Sequence, residues 1–131
     1  AIDDAGVIDR ACFYDDTYVF GADGSFSNVL GTDTWVEGWQ GGTDACGTPV
    51  APHDGSNPAT YTYDANAGTV TLNGVGSYLG IPKAYNGGEL ASPADAPESI
   101  TYDVTLSENN TRMTLDINVG GGWWRFIMVK N

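Results

Sequence analysis

The chain has 131 residues, enough for one domain (1–131) with a real core and too few to split comfortably into two. Its 41% hydrophobic and 11% aromatic content can offset the entropy lost on folding, which excludes the disordered class. Seventeen acidic against five basic residues give a formal charge of -12, which repels polyphosphate and anionic lipid surfaces and so excludes a nucleic-acid partner.

The first ten residues, AIDDAGVIDR, lack the basic and apolar regions of a signal peptide, so the chain is expected to be a mature or excised piece. No stretch approaches the roughly 20 apolar residues of a membrane helix, so membrane insertion is not expected. CFYDDTYVF (12–20), the turn Gly21-Ala22-Asp23-Gly24 and SFSNVL (25–30) form a predicted hairpin, whose Asp-Gly supplies the positive φ of a tight turn. TWVEGWQ (34–40) is predicted as a third strand. An aperiodic segment with three prolines follows, GGTDACGTPVAPHDGSNPA, too long for an ordinary connection and expected to be an anchored, functional loop.

TYTYD, Ala65-Asn66-Ala67-Gly68 and TVTLNG make a second hairpin. SYLGIPKAY (77–85) is a weaker strand, because Pro82 lacks a ladder donor. NGGELASPADAPES then has room for one helical turn between prolines. Residues 100–107 alternate strictly, with Ile100, Tyr102, Val104 and Leu106 on one face. After Glu108, Asn109 and Asn110, residues 112–119 repeat the alternation through Met113, Leu115, Ile117 and Val119. Beyond the glycines at 120–122, WWRFIMVK is apolar on both faces, as in a strand that is covered on both or lines a cavity.

Eight or nine short strands joined mostly by hairpins predict an all-β fold. The expected form is an antiparallel up-and-down, lipocalin-like barrel of about eight strands, with a jelly-roll-like β-sandwich as the alternative. Cys12 and Cys46 would close a loop of about 35 residues, worth about 3 to 4 kcal/mol if bridged. Outside the cell an even count reads as a disulfide, and in the cytosol as two free thiols; the bridge is the expectation.

On an extended TWVEGWQ, Trp35, Glu37 and Trp39 leave the backbone on one side. Sugars present C–H faces and hydroxyl edges, so a glycan site pairs aromatic plates with a few charged or amide groups. That triple has both; the alternative is that the two tryptophans are core and Glu37 is held by Arg125. Arg125, the basic residue inside an apolar strand, is expected either to pair with a buried Glu37 or, beside Trp123, to line the same pocket. His53 and Asp54 in the long loop complete a predicted ligand-binding set of Trp35, Glu37, Trp39, His53, Asp54, Trp123 and Arg125.

A zinc site is not expected, since bridging the cysteines leaves too few nitrogen or sulfur ligands. Calcium needs only oxygens and stays open as a cofactor at Asp15, Asp16, Asp33 and Asp44, without EF-hand spacing. Turns and surface solvation are the favoured reading of these acids. No catalytic set is assigned. There is no G-x-S-x-G around Ser25, Ser56 or Ser77, and nothing selects Glu37 with Glu89 or Asp54 as glycosidase carboxylates.

YVFGADGSFSNVLG, DTWVEGWQ, DACGTPVAPHDGSNPATYTYDANAGTVTLNGVGSYLGIPKA and GGWWRFIMVK together resemble a domain of secreted marine-bacterial proteins. Such domains travel with family 16-like β-glucanase modules or PKD-type repeats. The resemblance implies an extracellular or cell-surface location, other domains in a larger secreted chain, and an accessory module with a polysaccharide or oligosaccharide partner such as β-glucan. It brings no site residues. The Glu-x-Asp-x-x-Glu pattern of family 16 catalytic strands is absent, so a non-catalytic role is expected; the alternatives are a carrier of a small apolar ligand, a small glycoside hydrolase and a structural spacer.

Overall fold

The computed structural model describes residues 16–41 and 43–130. Among them the fold is all-β, with eleven strands: β1 (Thr17–Phe20), β2 (Ser25–Val29), β3 (Thr34–Val36), β4 (Ala45–Gly47), β5 (Ala59–Asp64), β6 (Thr69–Asn73), β7 (Ala84–Tyr85), β8 (Gly88–Glu89), β9 (Ser99–Ser107), β10 (Arg112–Asn118) and β11 (Trp123–Val129). Seven of them make one antiparallel sheet in the order β1-β2-β5-β6-β9-β10-β11, curled into a half-barrel. Neighbours in the sheet follow chain order, as an up-and-down barrel requires, and among the described residues no crossover of the sandwich kind occurs. Among the described residues β1 and β11 do not pair, so the barrel is open.

Two excursions leave this meander. The first, between β2 and β5, carries the β3-β4 ribbon, and the second, between β6 and β9, carries β7-β8. The alternation read from the sequence sets the sheet's faces. Val70, Leu72, Ile100, Tyr102, Val104, Leu115 and Ile117 are buried on the inner face, while Thr, Ser and Asp alternate with them on the outer one. Their register across β6, β9 and β10 is set by the pairs Leu72↔Ile100, Val70↔Tyr102 and Val104↔Leu115.

The inner face is filled by the chain itself. Residues 77–85 do not form the weak strand expected for SYLGIPKAY; only Ala84 and Tyr85 are in a strand. Tyr78, Leu79 and Ile81 lie within 1% of complete burial, and Leu79 and Ile81 join the sheet side chains in one core. An irregular backbone can be buried only if its polar groups find partners, and here side chains of the sheet supply them. Asn28 of β2 donates to the Tyr78 carbonyl (2.9 Å) and accepts from the Tyr78 N–H (3.3 Å). The Tyr102 hydroxyl of β9 accepts from the Leu79 N–H (2.9 Å), and the Tyr18 hydroxyl of β1 sits against both the N–H and carbonyl of Gly80. Burial raises the Tyr102 and Tyr18 phenols far above their ordinary range and keeps them neutral.

The hairpin turns follow expectation at 21–24 and 65–68, with Gly24 and Gly68 at positive φ. Glu108, Asn109 and Asn110 are all left-handed, a conformation that asparagine tolerates and glutamate rarely adopts. The stretch NGGELASPADAPES holds β8 and one 3-10 turn, Pro93–Asp95, capped by the Ser92 hydroxyl.

Candidate functional site

TWVEGWQ is not one strand. β3 ends at Val36, and Gly38–Gln40 form a 3-10 turn closed by Gly41 in the left-handed region. Gln40 reaches back to accept from the Glu37 N–H (3.2 Å), and Asp44 accepts from the Gly38 N–H (2.8 Å). This break separates the expected triple. Trp35, 2% exposed and opposite Cys46 in the β3-β4 register, is core and offers no sugar-binding face. Trp39 instead swings to a half-buried position where its indole N–H donates to its own neighbour's carboxylate, Glu37 Oε1, at 3.3 Å.

Glu37 pairs with Lys83, not Arg125. Lys83 Nζ lies 3.5 Å from Glu37 Oε1 and 3.9 Å from Glu89 Oε2. On the far side, Glu89 Oε2 accepts from the Trp124 indole N–H at 2.7 Å, and the ammonium stands 5.3 Å from the Trp124 ring centroid. Trp124 also stacks on Phe126, with planes 4° apart. Two indoles, two carboxylates and one lysine therefore form a continuous chain, Trp39–Glu37–Lys83–Glu89–Trp124. Three parts of the fold position it: the turn after β3, the β7-β8 ribbon with its approach, and β11. Exposure grows along it, from 13% at the Glu37 side chain through 22% at Lys83 to 41% at Glu89.

The ribbon bearing Lys83 and Glu89 is tied to the sheet at its turn. Asn86 donates to the Thr101 carbonyl (2.7 Å) and accepts from the Thr101 N–H (2.8 Å), and Gly87 N–H donates to the Asn118 carbonyl (2.9 Å). The ion pairs themselves, partly exposed, contribute only about 1 kcal/mol or less each. Their effect is to hold each indole and carboxylate in one geometry.

His53 is 3% exposed, edge-on to Trp39 (ring centroids 5.5 Å apart) and to Tyr78 (6.0 Å). Its Nδ1 has no hydrogen-bond partner among the described residues. Burial pushes its pKa down to about 4 against a weaker opposing pull from Asp54, so the ring is neutral at pH 7. Asp54 lies in a turn where the Ser56 hydroxyl and N–H hold its carboxyl below the usual range. Ser25 and Ser77 spend their hydroxyls likewise, on Asp23 and on the Gly74 carbonyl.

Trp123 and Arg125 lie on the opposite, outer face of β11. Trp123 is 61% exposed, and Arg125 makes a two-pronged pair with its cross-strand neighbour Asp116 (2.7 and 3.0 Å). The pair raises the guanidinium's pKa and lowers the carboxyl's. Neither residue joins Glu37, which corrects both expectations for Arg125. Of the predicted set, the structure gathers Glu37, Trp39 and His53, places Asp54 beside them in a turn, and sends Trp35 to the core and Trp123 and Arg125 outside.

Lys83, Glu89 and Trp124 were not in that set. A signal for Trp124 was present: Arg125 shares its phase with Trp123, which marks that phase as the wet one and leaves Trp124 facing inward. Lys83 had no such signal, because the segment carrying it follows neither period.

Asp15 and Cys12 lie outside the described residues. Cys46 is not free. Asp16 accepts from the Thr34 hydroxyl (2.6 Å), Asp44 caps the 3-10 turn, and Asp33 is exposed. Among the described residues no group of three or more His, Cys, Asp or Glu is placed to hold a metal ion. No described helix is long and apolar enough to cross a membrane. A glycosidase holds its sugar between two carboxyls roughly 5 to 10 Å apart; Glu37 and Glu89 do approach each other, but Lys83 bridges them and occupies that gap. A depression of about 290 Å³ beside the β3-β4 ribbon is lined by Val36, Gln40, Thr43, Cys46 and Val50. No family model, curated protein or solved structure matches the chain.

Proposed function

We propose that the chain is a non-catalytic carbohydrate-binding or accessory module of a larger secreted protein, extracellular or at the cell surface, with a Cys12–Cys46 bridge anchoring its long loop. One observation carries the reading: two half-buried indoles, each with its N–H fixed on a carboxylate, are linked through a shared lysine at a partly open surface. Indole faces cover sugar C–H surfaces, and ionised groups held in place take hydroxyls with little further ordering cost. The carrier alternative draws no support from the interior, where Leu79 and Ile81 occupy the space an apolar guest would need. The hydrolase alternative would require Lys83 to leave the gap between the two glutamates.

Calorimetric titration with laminarin-type β-glucan and other marine oligosaccharides tests the reading. Binding to at least one of them, weakened about tenfold or more in Trp39→Ala, is the expected result. No heat with any glycan, or full binding by Trp39→Ala, would remove the assignment.

A further inference from the structure

The cluster's hydrogen-bond polarity narrows the ligand class. A carboxylate only accepts hydrogen bonds, and an ammonium only donates them. Glu89, the most open member, uses Oε2 for both Trp124 and Lys83, while Oε1 receives no hydrogen bond from a described residue. Its free capacity is for donors. Lys83, the one cation present, is already shared by two carboxylates. Elsewhere Arg112 is paired with Glu108 and Arg125 with Asp116, so three of the four described cations are neutralised by acids. Against the chain's charge of -12, a sulfate or carboxylate group arriving at Glu89 would bring acceptors to an acceptor and a negative charge to a negative surface.

Resting on the glycan reading above, we infer that the site selects uncharged glycans, which offer hydroxyl donors to Glu89 and a C–H face to Trp39, and that it rejects sulfated and uronic-acid polysaccharides. Neutral recognition of this kind has little salt dependence, because no charge is neutralised on binding. A polyamine sugar would also be drawn to the acidic surface, but through long-range attraction that salt removes.

The test is a matched panel on the intact chain: laminarin-type β-glucan oligosaccharides, alginate, carrageenan and chitosan oligosaccharides, each at low and high NaCl. The inference predicts binding of the uncharged glucan that changes less than about twofold with salt. It also predicts no measurable alginate or carrageenan binding, and chitosan binding that disappears at high salt. Glu89→Gln, at an exposed position that does not endanger folding, should weaken the neutral glucan about tenfold and leave the rejection of anions less complete. Alginate or carrageenan binding as tightly as the glucan would overturn the inference while leaving the glycan reading intact, and so would salt-resistant chitosan binding. Silence from all four ligands would overturn both.

Discussion

Asn28 offers the sharpest test of how the interior is held together. Its amide is the sole described partner of both backbone polar groups of Tyr78, a residue 1% exposed. Asn28→Leu keeps the approximate volume and removes both hydrogen bonds, which strands a buried N–H and a buried carbonyl. Each orphan costs about 1 to 3 kcal/mol, and the added apolar burial returns about 1, so the net loss should be about 3 kcal/mol. For a domain of this size that is a fall in Tm of about 10 °C. Asn28→Asp is the informative companion. It keeps the acceptor but points a carboxylate at the Tyr78 carbonyl, so it should be destabilised at pH 7 and regain stability in acid, where a protonated carboxyl can donate. Urea denaturation followed by tryptophan fluorescence reads both. A loss below about 1 kcal/mol for Asn28→Leu, with no acid rescue of Asn28→Asp, would refute the argument that sheet side chains satisfy the 77–81 backbone.

Three further outcomes follow from the same geometry. The folded-state pKa of His53, about 4, lies below its ordinary 6.5, so the unfolded chain binds the proton more readily and stability falls as pH drops from 6.5 through 4. His53→Phe should remove about 3 kcal/mol of that acid loss, measured as the difference between the two proteins' stability–pH curves; parallel curves would contradict it. Gly76→Ala combines a φ of +91° with a Cβ driven into the Pro52 carbonyl, and should cost about 3 kcal/mol or more in chemical denaturation. Lys83→Met should lower stability by only about 1 to 2 kcal/mol yet abolish glycan binding in calorimetry, since it leaves Glu37 and Glu89 facing each other without their shared cation.

Much of the sheet was legible because alternation at period two is a local signal with a large energetic consequence. Residues 100–107 and 112–119 showed their inner faces through the alternation, and the register pair Val104↔Leu115 agrees, while Leu106, paired with Met113 near the strand end, is left 38% exposed. Meander order could be anticipated because short turns join neighbours. Two regions escaped this logic. In TWVEGWQ a period of two was present, but Gly38 and the partners Gln40 and Asp44 favour a 3-10 turn, and this turn carries Trp39 away from Trp35. In SYLGIPKAY the apolar content spoke for burial, yet the backbone's partners are the side chains of Asn28, Tyr102 and Tyr18, 23 or more residues distant in sequence. No local pattern announces a pairing of that kind. The misplaced Arg125 has the same origin: a lone basic residue in an apolar strand can be buried and paired or simply on the wet phase, and Asp116, its cross-strand neighbour, decides for the second.

The four indole N–H resonances of the protein separate the site from everything else in one titration. With a neutral β-glucan oligosaccharide added to ¹⁵N-labelled protein, the Trp39 and Trp124 signals should move in a saturable way, because their N–H groups are bonded to the two glutamates that receive the sugar. Those of core Trp35 and outer-face Trp123 should stay in place. Movement confined to Trp123, or no movement in any of the four at ligand saturation, would contradict a binding site built on the Glu37–Lys83–Glu89 bridge.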